Sequence, residues 1–129
     1  MTDSRKWVAV IDDEADLATL FADALNSHGI NAISFGNPLA AIDYLHNHHS
    51  EFVLIITDWR MPSMSGLGLA KLVQQIDPEI RILVMSAFEL DKDELREINK
   101  SEYLRKPMHI SQLIEAVSEQ FIRPRIMAE

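Results

Sequence analysis

Five short apolar runs, each followed by a longer stretch of helical spacing, set the tightest limit on what this chain can become. WVAVI (7–11), FVLIIT (52–57) and IRILVM (80–85) are rich in β-branched residues and too short for helices, so they read as buried strands. INAISF (30–35) alternates as a strand does, and EYLR (102–105) makes a short fifth strand. Between the strands, Leu17, Leu20, Phe21, Ala24 and Leu25 recur at helical spacing, and His28-Gly29 supplies a stop. Asn37-Pro38 pairs an N-cap residue with a proline at the first helical position. Ile42 and Leu45 mark the face of that helix, which frays in HNHHS (46–50). Leu69, Leu72, Val73 and Ile76 give a third helix, ended by Asp77-Pro78. DKDELREINK (91–100) has only Leu95 and Ile98 as apolar anchors and predicts a short, weakly packed helix. Ile110, Leu113, Ile114, Val117 and Phe121 mark a closing amphipathic helix.

Strand–helix alternation of this kind implies an α/β fold, a doubly wound parallel sheet with helices on both faces. FVLIIT is the most apolar strand and is therefore central. The 129 residues suit a single domain spanning 1–129, with a core over about 6–122 and a loose tail at 123–129. There is no cysteine, which removes disulfides, thiolate metal sites and thiol nucleophiles. The formal net charge of −8 argues against nucleic-acid binding and suits divalent cations or a basic partner face. No apolar run approaches the ~20 residues of a membrane helix, and MTDSRKW lacks a secretory signal, so the expected location is the cytoplasm.

The chemistry-bearing residues fall at the carboxyl ends of the strands, where open α/β sheets bind ligands. Strand one runs into Asp12-Asp13-Glu14, strand three ends in Asp58, strand four in Ser86, and strand five at Lys106-Pro107. Strand two ends in Phe35-Gly36 without charge, which is explained if it lies at the edge, in the order 2-1-3-4-5. Singly, each residue has a plain explanation: the acids could cap a helix or a turn, Ser86 could serve a turn, and Lys106 could be a solvated lysine. Together they describe a site. Three neighbouring carboxylates raise one another's pKa and stay ionised together only around a cation. An all-oxygen donor set suits Mg2+, and Lys106 adds a fixed positive charge. Cations, a hydroxyl and a spare carboxylate are the parts of phosphoryl transfer, and the carboxylate can itself be the acceptor.

With these residues assembled, the chain resembles a response-regulator receiver domain of two-component signalling, a flavodoxin-like fold. The resemblance runs from VAVIDDEADL (8–17) through ITDWRMPSMSGLGL (56–69) and ILVMSAF (82–88) to YLRKP (103–107). It implies that Asp58 is the phosphoacceptor, taking its phosphoryl group from a histidine kinase phosphohistidine. Asp13, helped by Asp12, would hold Mg2+ with Asp58 and the backbone carbonyl of Arg60. Ser86 would bond the incoming group and act as a switch with Tyr103, and Lys106 would pair with the phosphate. The Lys106-Pro107 bond would be cis. Arg60, Ala87 and Phe88 would flank the phosphate, and the bulk of Phe88 with the charge of Arg60 predicts a long-lived phospho-Asp58. The implied partners are a histidine kinase or histidine phosphotransfer protein and an unidentified downstream protein, with a homodimer as a further option. The output surface would be helix four, strand five and helix five. Two features depart from the pattern: the segment between Ser86 and Tyr103 is short, with Lys100-Ser101-Glu102 in place of a Gly-Ala pair, and Met108 replaces a frequent Phe. No output domain follows the last helix, so the chain reads as a stand-alone receiver, or as one cut from a longer protein.

The alternatives are an Asp-nucleophile phosphohydrolase, a flavodoxin-type cofactor binder and a receiver-like interaction module that is never phosphorylated. The first typically uses an Asp-x-Asp motif and a substrate pocket, whereas here Asp12 and Asp13 are adjacent. The second needs a Gly/Ser/Thr-rich phosphate loop where this chain has three acids. The full residue set argues against the third. The expectation is therefore a signalling domain, not an enzyme, catalysing only its own phosphorylation and dephosphorylation. Two other features stand apart. His46 and His49 are an i, i+3 pair that invites a metal, but the site they would make is expected to lack a partnering acid or cysteine, so a solvated helix end is the favoured reading. Trp59, beside the site, could form a partial lid or simply pack.

Overall fold

The computed structural model of the chain describes residues 5–87, 90, 92–98, 101–106 and 109–121. Five strands form one parallel sheet: β1 (Trp7–Ile11), β2 (Asn31–Phe35), β3 (Phe52–Asp58), β4 (Arg81–Ser86) and β5 (Ser101–Arg105). Their order is β2-β1-β3-β4-β5, the order inferred from the charges at the strand ends. The helices are α1 (Ala15–Ser27), α2 (Pro38–His48), α3 (Gly66–Ile76), α4 (Lys92–Arg96) and α5 (Ile110–Phe121), with a single 3₁₀ turn at His49–Glu51. Strand boundaries differ from the sequence reading by a residue. The turn at His49–Glu51 is how the expected fraying after α2 is realised. The expected tail at 123–129 lies outside the described residues.

Both faces of the sheet are covered, which is why β1 and residues 52–56 of β3 are continuously apolar rather than alternating with polar residues. Val8 and Val10 face one layer with Phe21, Leu25, Leu113 and Val117, from α1 and α5. Ala9 and Ile11 face the other with Leu45, Leu69 and Val73, from α2 and α3. Right-handed crossovers produce this arrangement when the chain reverses direction across the sheet after β2.

Local sequence fixes the ends of the helices. The Asn37 side chain accepts a hydrogen bond from the Leu39 amide at 2.8 Å, with Pro38 opening α2. The Ser65 hydroxyl does the same for Gly68 at 3.0 Å at the start of α3. Gly29, at φ 80°, turns the chain out of α1 in a conformation that side chains disfavour. α4 has five residues, and the few apolar anchors of its segment explain why. Ile98, just beyond it, is buried, and Leu95 packs on the α2–α3 layer. The Ser101 hydroxyl donates to the carbonyls of Leu95 and Ile98, closing that end. No helix among the described residues is long and apolar enough to cross a membrane.

At the amino edge of the sheet, a buried carboxylate joins three segments. Asp77 is forced out of helical geometry before Pro78 (φ −156°, ψ 104°) and ends α3. Its Oδ2 receives Arg5 at 2.8 Å and the His49 ring at 2.7 Å, and its Oδ1 accepts the Glu79 amide at 3.1 Å. Arg5 also donates to the Phe52 carbonyl at 3.1 Å, so the chain ahead of β1 is fastened to β3. Burial pushes the Asp77 carboxyl up, but the hydrogen bonds from Arg5, His49 and Glu79 outweigh it and hold the carboxyl below its ordinary 3.8. A depressed carboxylate contributes stability above its unfolded pKa and loses it on acidification. Asp77→Asn should therefore cost about 2 kcal/mol at pH 7, as charge-assisted bonds of this kind do, with the deficit shrinking as pH falls below about 3.8. Urea melts of both proteins at pH 7 and pH 3 test this.

Candidate functional site

The carboxyl edge of the sheet gathers the residues singled out from the sequence. Asp12 follows the last residue of β1, Asp58 is the last residue of β3, Ser86 the last of β4, and Lys106 follows the last of β5. Pairing in register brings these ends to one level: Ile11 lies opposite Thr57, Asp58 opposite Met85, and Ser86 opposite Arg105. The Lys106 amide donates to the Ser86 carbonyl at 2.7 Å, extending the β4–β5 ladder past the strands. Lys106 Nζ lies 3.3 Å from Asp58 Oδ1 and 3.7 Å from Asp12 Oδ2. Asp58, Arg60, Ser86, Ala87 and Lys106 line one small pocket of about 160 Å³. Ser86 is buried, while the Asp58 side chain keeps 16% of its surface open, enough for a small reactant to reach it.

The backbone beneath Asp58 is held on several sides. The Trp59 amide donates to the Met85 carbonyl at 2.8 Å, and the Thr57 hydroxyl donates to the Asp58 carbonyl at 3.0 Å. The Gly66 amide donates to the Trp59 carbonyl at 2.7 Å. A Cβ on Gly66 would fall 2.5 Å from the Asp58 carbonyl oxygen and 2.9 Å from Trp59 Cα, so only glycine lets α3 begin this close to the site. Sequence reasoning assigned no role to Gly66; its one signal was a lone glycine at a helix start within the 56–69 motif. Trp59 is packing, not a lid: it is 9% exposed and belongs to the core beneath α2 and α3, with Met61.

One oxygen from each of Asp12, Asp13 and Asp58 lies within 4.8 Å of the others. Asp12 is fully buried, and its Oδ1 accepts the Glu14 amide at 3.0 Å. That bond holds the turn into α1; Glu14, the N-cap residue itself, makes no side-chain capping bond. Oδ2 of Asp12 is buried without a hydrogen-bond partner. Burial raises the Asp12 carboxyl to about 6; the Glu14 amide and Lys106 pull it down, and Asp58 and Asp13 push it up. An orphaned, buried carboxylate oxygen in an all-oxygen cluster is the donor set that a hard divalent cation satisfies, so these residues fit Mg2+.

Tyr103 sits half-buried on β5, opposite Val84, two residues before Ser86's partner in the ladder. Arg60 is exposed at the mouth of the pocket. Phe88 and the Lys106-Pro107 bond, the remaining sequence expectations, lie outside the described residues.

A family model described as the response regulator receiver domain matches residues 8–118. The chain is 28% identical over 114 residues to the sporulation initiation phosphotransferase F of Bacillus subtilis, covering 87% of this chain and 90% of that one. In fold it is similar to a response-regulator receiver domain protein from Clostridium thermocellum, with a TM-score of 0.81 and 23% identity, over 94% of this chain and 98% of that one. It is also similar to the CheX–CheY–BeF3–Mg2+ complex from Borrelia burgdorferi, with a TM-score of 0.79 and 21% identity, over 90% of this chain and 89% of that one. The chain belongs to the response-regulator receiver family, the signalling modules of two-component systems.

The raised carboxyl makes Asp12 a source of strain in the metal-free protein. That strain is absent below about pH 3.8, where the carboxyl is protonated folded or unfolded, and grows as pH rises through about 6. Asp12→Asn keeps the bond from Glu14 and removes the charge. In chelator at pH 8 it should unfold at higher urea than the native chain, by at most about 3 kcal/mol, with the advantage vanishing near pH 4.

Proposed function

We propose that this chain is a phosphorylation switch in which Asp58 accepts a phosphoryl group from a phosphohistidine. The observation that carries the reading is the meeting of Asp58 with Lys106 at 3.3 Å in a pocket shared with Ser86, beside Asp12 and Asp13. An Asp58 carboxylate oxygen attacks phosphorus, the P–N bond to the histidine breaks, and the leaving imidazole takes up a proton. The product is an acyl phosphate on Asp58, which water later hydrolyses to carboxylate and inorganic phosphate. Asp12, Asp13 and Asp58, with the Arg60 carbonyl, would hold Mg2+, which neutralises phosphoryl charge during transfer. Lys106 supplies a fixed cation for the phosphoryl oxygens, and the Ser86 hydroxyl donates to one of them. Movement of Ser86 toward the phosphate vacates space that Tyr103, on the neighbouring strand, can enter.

The donor is a histidine kinase or a histidine phosphotransfer protein, and the reader of the switched surface is a downstream protein. The chain works in the cytoplasm as one receiver domain over residues 1–129, with chemistry confined to its own phosphorylation and dephosphorylation. Arg60 lines the pocket, which supports a role for its side chain in hindering a hydrolytic water and lengthening the life of the phosphorylated state.

Intact-mass measurement after incubation with acetyl phosphate and Mg2+ tests the proposal. The protein should gain one phosphoryl group and Asp58→Ala none. On removal of the donor the mass should persist for minutes, and Arg60→Ala should shorten that time several-fold. No gain with any donor would support an unphosphorylated module, and turnover of a phosphate ester would support a phosphohydrolase; either contradicts the proposal.

A further inference from the structure

The groove between α2 and α3 has a volume of about 430 Å³ and is lined by Ile42, His46, His49, Leu72, Gln75 and Ile76. Along the chain the nearest acids are Asp43 and Glu51, and Glu51 is taken by His48. The fold supplies another from 28 residues away: His49 Nδ1 lies 2.7 Å from Oδ2 of the buried Asp77. A carboxylate only accepts, so Nδ1 of His49 carries the proton and Nε2 of the neutral ring carries the free lone pair. A histidine hydrogen-bonded through one nitrogen to a carboxylate is the form in which imidazoles ligate metals, because the second bond fixes the tautomer and strengthens the donor. Arg5, 2.8 Å from the same Asp77 oxygen, keeps that carboxylate ionised and in place.

His46 stands three residues earlier on the same wall of the groove, and no hydrogen bond or ion pair engages its ring among the described residues. The backbone leaves helical geometry at His48 (φ −131°, ψ 8°) and re-enters a turn at His49, yet both His46 and His49 line the same groove. His48 is occupied elsewhere: its ring stacks on Tyr44 at 4.1 Å, and its Nδ1 bonds Glu51 at 3.0 Å. Gln75, from α3, also lines the groove. Asp12, Asp13 and Asp58 are the one cluster of three acidic or histidine donors within 4.8 Å among the described residues, so water completes any coordination in the groove.

We propose that His46 and His49 form a second cation site, for a borderline divalent transition metal of the zinc class, with Asp77 as the positioning residue. Imidazole donors select such ions, whereas the all-oxygen cluster selects hard ones. The two sites are independent: His49 precedes β3, and Asp58 ends it, so the seven residues of that strand separate them by about 20 Å. A metal held by the α2 turn and Gln75 would clamp α2 to α3.

Zinc titration of the full chain, with Mg2+ present in excess, tests this by imidazole ¹⁵N NMR. The Nε2 resonances of His46 and His49 should move together while those of His28, His48 and His109 stay. His46→Ala and His49→Ala should each weaken zinc at least tenfold, and Asp77→Asn by ~10-fold with the amide spectrum still that of a folded chain. Zinc shifts confined to Asp12, Asp13 and Asp58, equal shifts across all five histidines, or unchanged affinity in His46→Ala would each overturn the proposal.

Discussion

Repulsion among three carboxylates governs the working end of this protein. Asp12, Asp13 and Asp58 crowd within 4.8 Å, and Lys106 is the cation that reaches two of them, at 3.3 and 3.7 Å. Lys106 lies between two of the three acids, and the buried Oδ2 of Asp12 is left without a hydrogen bond. A chain selected for stability alone would replace Asp12 with a neutral residue. In the proposed phosphorylation switch, keeping it would hold the site ready for a cation and, with the cation, for the oxygens of a phosphoryl group.

The rest of the fold makes that crowding tolerable. Asp12 directly follows β1 and Asp58 ends β3, two strands buried on both faces whose backbones are locked by neighbours, so these two acids cannot relax by moving apart. Gly66 lets α3 begin against the Asp58 carbonyl, and the hydrogen bond from Trp59 to Met85 keeps the end of β3 in register with β4. The opposite end of the sheet solves the inverse problem. There Asp77 is surrounded by Arg5, His49 and the Glu79 amide, and its carboxyl is stabilised rather than strained. One end of the molecule is electrostatically satisfied and fastens the chain; the other is left unsatisfied.

Much of this was legible in the sequence. Strand number and order followed from apolar runs and from which of them end in charge, because in a parallel sheet those ends share one edge. Asp12, Asp58, Ser86 and Lys106 could be assembled for the same reason. Gly66 could not, because what forbids a side chain there is a backbone atom eight residues back, placed by the turn between β3 and α3. The His49–Asp77 pair was hidden as well: its partners are 28 residues apart and meet only because two connections cross the same end of the sheet. Trp59 could not be assigned either, since its burial depends on how the turn after Asp58 folds over α2 and α3. Local chemistry was readable; contacts made by loops of different crossovers were not.

The central claim is that the acidic edge is strained without a cation and relieved by one. Thermal unfolding of the native chain against Mg2+ at pH 7.5 tests it most directly. Binding to the folded state alone should raise stability by about 3 kcal/mol once Mg2+ exceeds its dissociation constant a hundredfold, and Asp13→Asn should abolish most of the rise. A melting temperature that ignores Mg2+, or that rises equally in Asp13→Asn, would contradict the account.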